Sequence, residues 1–395
     1  MTVVTCVEDL RILHKRRVPR MFYDYAQSGS WTESTLRRNS EAFAELQLRQ
    51  RVAVDISQRQ LSTKMLGQTY SMPVGIAPTG LAGMQHADGE ILAAQAAEAF
   101  GVPFILSTMS ICSLEDVAAH TSKPFWFQLY VMKDRDFIAG LIDRARQAGC
   151  SALVLTLDLQ ILGQRHRDLR NRMTAPPRLT LPNLINMATK PAWCAGMLRT
   201  HRRDFGNVVG HAKGVGDLRS LSTWSAEQLD PSLDWADVAW VKEQWGGPLI
   251  LKGIMDPADV PFAIDSGADA LIVSNHGGRQ LDGAPAALDV LPEIAALAAP
   301  HMAVWVDGGI RSGQDVFKAI ACGASSTFIG KAFLHGLGAM GKAGVTKVLE
   351  IIANELDLTM AFCGHTDINT VDSAVLWRDT GALHRSLTDC ATKPA

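Results

Sequence analysis

In the stretch SNHGGRQLDG, residues 274 to 283, an imidazole, two glycines and a guanidinium directly follow the apolar run ALIV. His276 is a general base if a carboxylate faces it, and otherwise a turn residue, the commoner role of a solitary histidine beside glycines. Asp158, at the end of ALVLTLD, is the carboxylate that would fix the imidazole tautomer and stabilise the imidazolium formed on proton abstraction. Arg279 offers the planar fork that grips a carboxylate. Gly277 and Gly278 let the backbone pass close to a flat ligand. A base and an anion clamp thus fall within four residues.

Something must bring Asp158 to His276 across the chain. Eight short β-rich runs recur: MPVGIAP, PFILST, PFWFQLYV, ALVLTLD, PLILKGI, ALIVSN, MAVWVDGG and STFIGKAF. Most gaps between them carry apolar residues at helical spacing, and Gly101, Gly149, Gly267 and Gly323 close four of those helices. The pattern predicts an α/β fold, a (β/α)8 TIM barrel rather than an open doubly wound sheet. Such barrels do their chemistry at the C-terminal strand ends. There this sequence places Ala77 and Thr79, Ser107, Gln128 and Tyr130, Thr156 and Asp158, Lys252, Asn275 and His276, Asp307 to Gly309, and Gly330 with Lys331. A polar rim is normal, but nearly every one of these residues is polar or glycine.

DGGIRSGQD after the seventh run and IGKAF after the eighth stand where barrels bind phosphate, with Arg311 and Lys331 adding charge to exposed amides. Either stretch alone reads as an ordinary tight turn; the pair points to a cofactor with a phosphate tail. Lys252 suits a flavin that gathers negative charge on reduction, or a Schiff base as the rival. No GxGxxG follows a first strand, which disfavours a Rossmann site.

The chain of 395 residues is 47% hydrophobic and 20% charged, with a formal charge of -2, so it reads as globular and not as a general nucleic-acid binder. MTVVTCVEDLRILHKRR puts charges where a signal peptide needs an apolar core, and no stretch is long and apolar enough to span a membrane, which together suggest a cytoplasmic protein. The seven cysteines are scattered without a CxxC pair, arguing against structural zinc, and no metal is expected. The organisation expected is an N-terminal helical segment over 1–65 with the loop YAQSG, the barrel over 66–375, an insertion over 166–240 and a tail over 376–395. The insertion follows the fourth strand, between Asp158 and Pro248, where a strand–helix unit needs only roughly thirty residues. From Leu169 through Arg203 it has no Asp or Glu, while Arg170, Arg172, Arg178, Lys190, Arg199, Arg202 and Arg203 lie among apolar residues and Trp193. That composition suits a segment lying on anionic lipid, or equally a lid or subunit contact.

At SNHGGRQLDG the sequence resembles the FMN-dependent L-2-hydroxy acid dehydrogenases and oxidases, a resemblance running from FYDYAQSG to GHTDI through STLRRN, IAPTG, FQLYV, LKGI and VDGGIRSG. It implies an FMN cofactor and a small, lactate-like L-2-hydroxy acid substrate. His276 would take the hydroxyl proton while the α-hydrogen goes to the flavin, and Asp158 would orient His276. Arg279, Arg165 and Tyr25 would hold the carboxylate, and Tyr130 the hydroxyl. Ala77, Thr79, Ser107, Gln128, Thr156, Lys252 and Ser274 would meet the ring or ribityl chain. Asp307, Gly309, Arg311, Gly330 and Lys331 would hold the ribityl chain and phosphate.

The resemblance also implies a homo-oligomer, usually a tetramer, and an electron acceptor that is a quinone or other carrier, with oxygen as the alternative. The extended segment resembles that of membrane-associated lactate and mandelate dehydrogenases, which suggests peripheral contact with the inner face of the cytoplasmic membrane. An isomerase using the same cofactor and a non-catalytic flavin binder are the rivals from other classes. Three departures bear on the substrate pocket and phosphate site: Lys331-Ala332 where the family commonly has Arg-Pro, Met109 where glycolate oxidase-like members carry a tryptophan, and Gly80 where alanine is frequent.

Overall fold

The computed structural model describes residues 3–173, 180–212, 215 and 228–377. Two short antiparallel strands, β1 (Thr63–Met65) and β2 (Gln68–Tyr70), precede eight parallel ones. These are β3 (Val74–Ile76), β4 (Ile105–Ser107), β5 (Trp126–Tyr130), β6 (Ala152–Thr156), β7 (Leu249–Ile254), β8 (Ala270–Val273), β9 (Ala303–Asp307) and β10 (Ser326–Ile329). They are hydrogen-bonded in the order β3-β10-β9-β8-β7-β6-β5-β4, and a parallel bridge from Ile76 to Phe104 closes the ring. Each of the eight apolar runs is one strand of this barrel. Gly101, Gly149, Gly267 and Gly323 all adopt positive φ where the chain turns back from helix to strand.

Because side chains alternate along a strand, one parity fills the barrel and the other faces the helices. Ile105, Trp126, Val154, Ile250, Ile272, Trp305 and Phe328 fill the inside. Their neighbours Leu106, Phe127, Leu155, Leu251, Leu271 and Val306 join the larger outer core. Two residues further along, the inward parity delivers Ser107, Gln128, Thr156, Lys252, Ser274, Asp307 and Gly330 to the barrel mouth. Another two residues deliver Tyr130, Asp158, His276 and Gly309. The site therefore sits on a solid floor: Trp126 and Trp305 stack at 5.5 Å beneath it, with Phe328 against both.

The β1–β2 hairpin has no counterpart among the sequence expectations, and the boundary drawn at 65/66 falls within it. Met65, Leu66 and Tyr70 pack into the barrel interior, so the hairpin plugs the end opposite the site. Its strands are three residues each, too short for a period to show.

Helices Val7–Arg17, Arg20–Gln27 and Ser34–Glu45 form the N-terminal segment. Tyr25 to Gln27, read as loop, are the last residues of the second helix, which closes when the Ser28 amide donates to Asp24 O. After β6 come helices His166–Arg170, Leu181–Ala188 and Pro191–Arg199. The helix Trp235–Trp245 then leads into β7, so the boundary drawn at 240 lies inside a helix. Arg178, Cys390 and the tail beyond Trp377 lie outside the described residues.

Candidate active site

The turn after β8 is laced to the N-terminal segment. The Ser30 amide donates to Gly278 O, and Asp282 accepts from the Thr32 and Thr35 amides and from the Ser34 hydroxyl. Asn39 and Asn275 exchange two amide hydrogen bonds of 2.9 Å in a nearly sealed position, and Asn275 Oδ1 also accepts from the Gly278 amide. His276, Gly277 and Gly278 all have positive φ within this frame. Gly278 is required twice over, since a Cβ there would lie 2.5 Å from the Leu36 amide nitrogen. The left-handed conformation of His276, uncommon for any side chain but glycine, is what aims its ring into the mouth.

His276 Nδ1 lies 2.9 Å from Asp158 Oδ1. Burial opposes ionisation of Asp158, but the facing His276 and the charge of Lys252 together outweigh it and hold the carboxyl below its ordinary value. With Nδ1 donating to that carboxylate, Nε2 carries the free lone pair.

Arg279 Nη1 donates to Tyr25 O at 2.7 Å and Ser28 O at 3.0 Å, and its guanidinium lies 4.8 Å from the Tyr25 ring centre. Arg165 approaches the same ring at 5.6 Å and pairs with Asp168 at 2.9 Å. Burial, then the like charge of Arg165, lowers the Arg279 pKa. Two guanidinium groups crowded on one tyrosine form a place for an anion. Burial and then Asp158 raise the pKa of the Tyr130 phenol, which also lines this cavity.

Lys252 Nζ is fixed between Ser274 Oγ at 2.6 Å and Asp307 Oδ2 at 3.0 Å. Ser107 Oγ donates to Gln128 Oε1, holding that amide in place. Among the described residues Gln128 Nε2, Thr156 Oγ1 and Asp307 Oδ1 are buried without a hydrogen-bond partner. Such groups are costly to leave unpaired, and all three stand at the strand ends, ready for a polar ligand. At the β9–β10 side, Lys331 Nζ donates to Gly277 O. Burial, Arg279 and Arg311 push the Lys331 ammonium well below the ordinary lysine value, and burial draws Arg311 down to about 10. Gly309, at φ +87°, is needed because a Cβ would meet Asn39 O at 2.0 Å.

All of this surrounds one cavity of about 990 Å³. Tyr25, Ala77, Thr79, Ser107, Tyr130, Arg165, Lys252, His276 and Arg279 line it, as do Asp307, Gly309, Arg311, Gly330 and Lys331. Asp158, Gln128 and Ser274 are hydrogen-bonded to the lining residues His276, Ser107 and Lys252, and Thr156 is registered with Tyr130 and Lys252 across the sheet. The residues singled out in the sequence are thus brought together.

Sequence reasoning missed Asp168, although its i,i+3 spacing from Arg165 was a signal. It noted Asn275 only as a strand-end residue and passed over Asn39 within STLRRN. Their reciprocal pairing spans 236 positions and leaves no local trace.

A family model for FMN-dependent dehydrogenase matches residues 14–378. The chain belongs to this family. It is 42% identical over 375 residues to an L-lactate dehydrogenase of Caulobacter vibrioides, covering 95% of this chain and 98% of that one. It is 41% identical over 386 residues to an L-lactate dehydrogenase of Pseudomonas aeruginosa, covering 96% and 100%. Among solved structures it is similar to a monotopic membrane (S)-mandelate dehydrogenase, with a TM-score of 0.91 at 35% identity over 96% of this chain and all of that one. A soluble mutant of the membrane-associated (S)-mandelate dehydrogenase from Pseudomonas putida gives 0.81 at 35% identity, over 95% of this chain and all of that one.

Family membership makes FMN the cofactor, and the residues present fit it. The unpartnered Gln128, Thr156 and Asp307 atoms suit the ring and ribityl hydroxyls, and the depressed Lys331 and Arg311 cations suit a phosphate.

Proposed function

We propose that the protein oxidises L-lactate, or a close small L-2-hydroxy acid, to the 2-oxo acid and passes the electrons to a membrane quinone. The observation that carries this reading is the His276–Asp158 pair standing beside the Arg165–Tyr25–Arg279 stack, since the reaction needs both a base and a carboxylate grip.

FMN, when bound, accepts the hydrogen and electron pair leaving the substrate's α-carbon. The remaining work falls to side chains. Arg279 and Arg165 hold the substrate carboxylate against Tyr25, which fixes the hydroxyl relative to Nε2 of His276. Among the described residues no acceptor takes Arg279 Nε or Nη2, which leaves them for that anion. Nε2 removes the hydroxyl proton, and Asp158, ionised and 2.9 Å from Nδ1, stabilises the imidazolium. Tyr130 donates to the substrate oxygen and stays protonated throughout, in keeping with its raised pKa. Lys252 would stand at the ring as a fixed positive charge, and Lys331, Arg311, Gly309 and Gly330 would hold the phosphate.

The acceptor assignment rests on the insertion. Helices Leu181–Ala188 and Pro191–Arg199 bury none of their residues and expose Leu181, Leu184, Ile185 and Leu198. Arg170, Arg172 and Arg199 are exposed nearby. An apolar face with a basic surround suits the surface of an anionic bilayer. The higher TM-score with the monotopic membrane (S)-mandelate dehydrogenase, 0.91, than with the soluble mutant of a membrane-associated one, 0.81, supports the same reading. Among the described residues no helix is long and apolar enough to cross a membrane, so the contact proposed is peripheral. Arg202 does not contribute, being paired with Asp88 and Asp116.

The test is anaerobic addition of a panel of L-2-hydroxy acids to the holoenzyme, followed by oxygen or a quinone. Bleaching by L-lactate and rapid recovery with quinone but not oxygen is expected. Recovery with oxygen alone would make it an oxidase, and no bleaching by any hydroxy acid would overturn the reading.

A further inference from the structure

The cavity does not end at His276. Met84, Met173, Met187, Trp193, Met197 and Leu198 also wall it and form an apolar chamber. None of these side chains has a part in hydroxy acid oxidation, and a lactate-sized acid held by Arg165 and Arg279 does not fill the space. The chamber is built rather than loose. The Trp193 indole donates to Met84 O at 2.9 Å, and its ring stacks on Phe22 at 5.4 Å with 28° between planes. Met84, Met173, Met187 and Trp193 close a small core of their own around Val18, Met21 and Phe22. Leu198 lines the cavity while 76% exposed, so it stands at the mouth, on the same pair of helices that expose Leu181, Leu184 and Ile185.

We propose that this chamber is the site of the electron acceptor, a quinone with an apolar tail that enters from the lipid side between helices Leu181–Ala188 and Pro191–Arg199. The inference rests on the quinone reading above and says where on this chain that molecule sits. Thioether sulfurs are polarizable and adapt to a flat ring, and the Phe22–Trp193 stack offers an aromatic wall. Arg203 also lines the cavity; its Nε and Nη2 donate to Thr200 O and Leu198 O, which leaves Nη1 for a quinone carbonyl. A tail left among the exposed leucines costs nothing in desolvation if that face already lies against lipid. The electrons and atoms balance without a further reagent: the hydroxy acid loses two electrons and two protons, the quinone gains both, and the 2-oxo acid and hydroquinone leave.

The experiment uses vesicle-bound holoenzyme and a tailed azidobenzoquinone, photolysed and mapped by peptide mass spectrometry. Label is expected on the helices at Met187 to Leu198, and competition by an unreactive tailed quinone should remove it. Two variants accompany it: Met197→Trp, which fills the chamber, and Leu198→Glu, which charges an exposed position at its mouth. Both should keep the rate of anaerobic bleaching by L-lactate and the rate of recovery with ferricyanide, while recovery with a tailed benzoquinone falls by roughly tenfold or more. Label confined to other segments, or unchanged quinone recovery in both variants, would overturn the placement. A matching loss of bleaching would overturn it too, by giving the chamber to the hydroxy acid's own side chain. Failure of the tailed quinone to reoxidise even the unsubstituted enzyme would instead remove the acceptor reading beneath it.

Discussion

Asp158 and His276 stand 118 positions apart in sequence and 2.9 Å apart in the fold, joined because β6 and the turn after β8 point the same parity into one barrel mouth. Among the described residues the carboxylate is the one fixed partner of Nδ1, so its removal should act through the imidazole. Asp158→Asn is expected to retain FMN but lose turnover by roughly 10²- to 10⁴-fold, and His276→Gln by at least as much. The flavin spectrum and single-turnover bleaching rates separate the two properties. Near-normal bleaching in His276→Gln would deny it the role of base.

The two arginines should differ in consequence. Arg279 is held by neutral acceptors, the Tyr25 and Ser28 carbonyls and the Ser28 hydroxyl, whereas Arg165 forms an ion pair with Asp168. Charge-assisted hydrogen bonds contribute about 1.5–3 kcal/mol each, so Arg279→Met should raise KM and the Kd of the 2-oxo acid by roughly one to two orders of magnitude. Arg165→Met should cost less, because Asp168 already offsets part of the Arg165 charge. Burial raises the pKa of the Asp168 carboxyl against the opposing pull of Arg279 and then Arg165, so loss of either arginine would let it protonate nearer neutrality. Steady-state KM and product titrations at two pH values check both statements; equal losses would mean that Asp168 does not share the charge.

Much of this site was legible because its determinants are local or periodic. The eight strands announced themselves as apolar runs, and the polar residues at their ends inherit a parity that the sequence already carries, as Trp126, Gln128 and Tyr130 illustrate. His276 beside two glycines and Arg279 form a motif within four residues. What stayed hidden is long-range or too short to have a period: the Asn39–Asn275 pair, the Asp282 contacts to Thr32, Ser34 and Thr35, and the plug of Met65 and Tyr70. Arg202 shows the complementary error. Composition counted it among the cations of a segment that suits anionic lipid or equally a lid or subunit contact, whereas the fold pairs it with Asp88 and Asp116, which sequence distance concealed.

Lys331 donates to Gly277 O at the β10 end, and in the apoprotein its ammonium is destabilised by burial and by Arg279 and Arg311. A bound phosphate reverses that balance and raises the lysine's pKa. Binding should therefore take up protons at pH values between the depressed apo value and the raised holo value, and affinity should fall as pH rises through that window. Calorimetry of apoprotein with FMN in buffers of different ionisation enthalpy measures the uptake. Lys331→Arg, which stays charged, should abolish most of it. Proton release on binding would contradict the phosphate assignment.

The exposed leucines predict their own disruption. Leu184→Glu with Ile185→Glu alters two side chains that are 47% and 59% exposed, so folding should be spared. Co-sedimentation with anionic vesicles should fall sharply while soluble-acceptor activity stays. Raising salt should weaken binding of the unsubstituted protein only in part, since screening leaves the apolar contribution in place. Undiminished sedimentation of the double variant would place the membrane contact elsewhere.

Acid should loosen the molecule at a point behind the phosphate turn. His14, on the helix Val7–Arg17, lies fully buried with Nε2 2.8 Å from Gln85 Oε1 and Nδ1 3.3 Å from His335 Nδ1. Burial lowers the His14 pKa to about 4, against an ordinary 6.5, and the His335 pKa also falls well below that value. Both groups are neutral in the fold where the unfolded chain binds protons, so the stability present above about pH 6.5 is lost as pH falls towards 4. His14 alone accounts for a loss of about 3 kcal/mol across that interval. Denaturation midpoints should fall between pH 7.5 and 5, with a shallower slope in His14→Gln. Because His335 sits on helix Lys331–Met340, whose first turn carries the phosphate-site lysine, FMN release should accompany the early part of the transition. Flavin fluorescence recorded alongside circular dichroism tests the order, and FMN release only after global unfolding would separate the histidine pair from the cofactor turn.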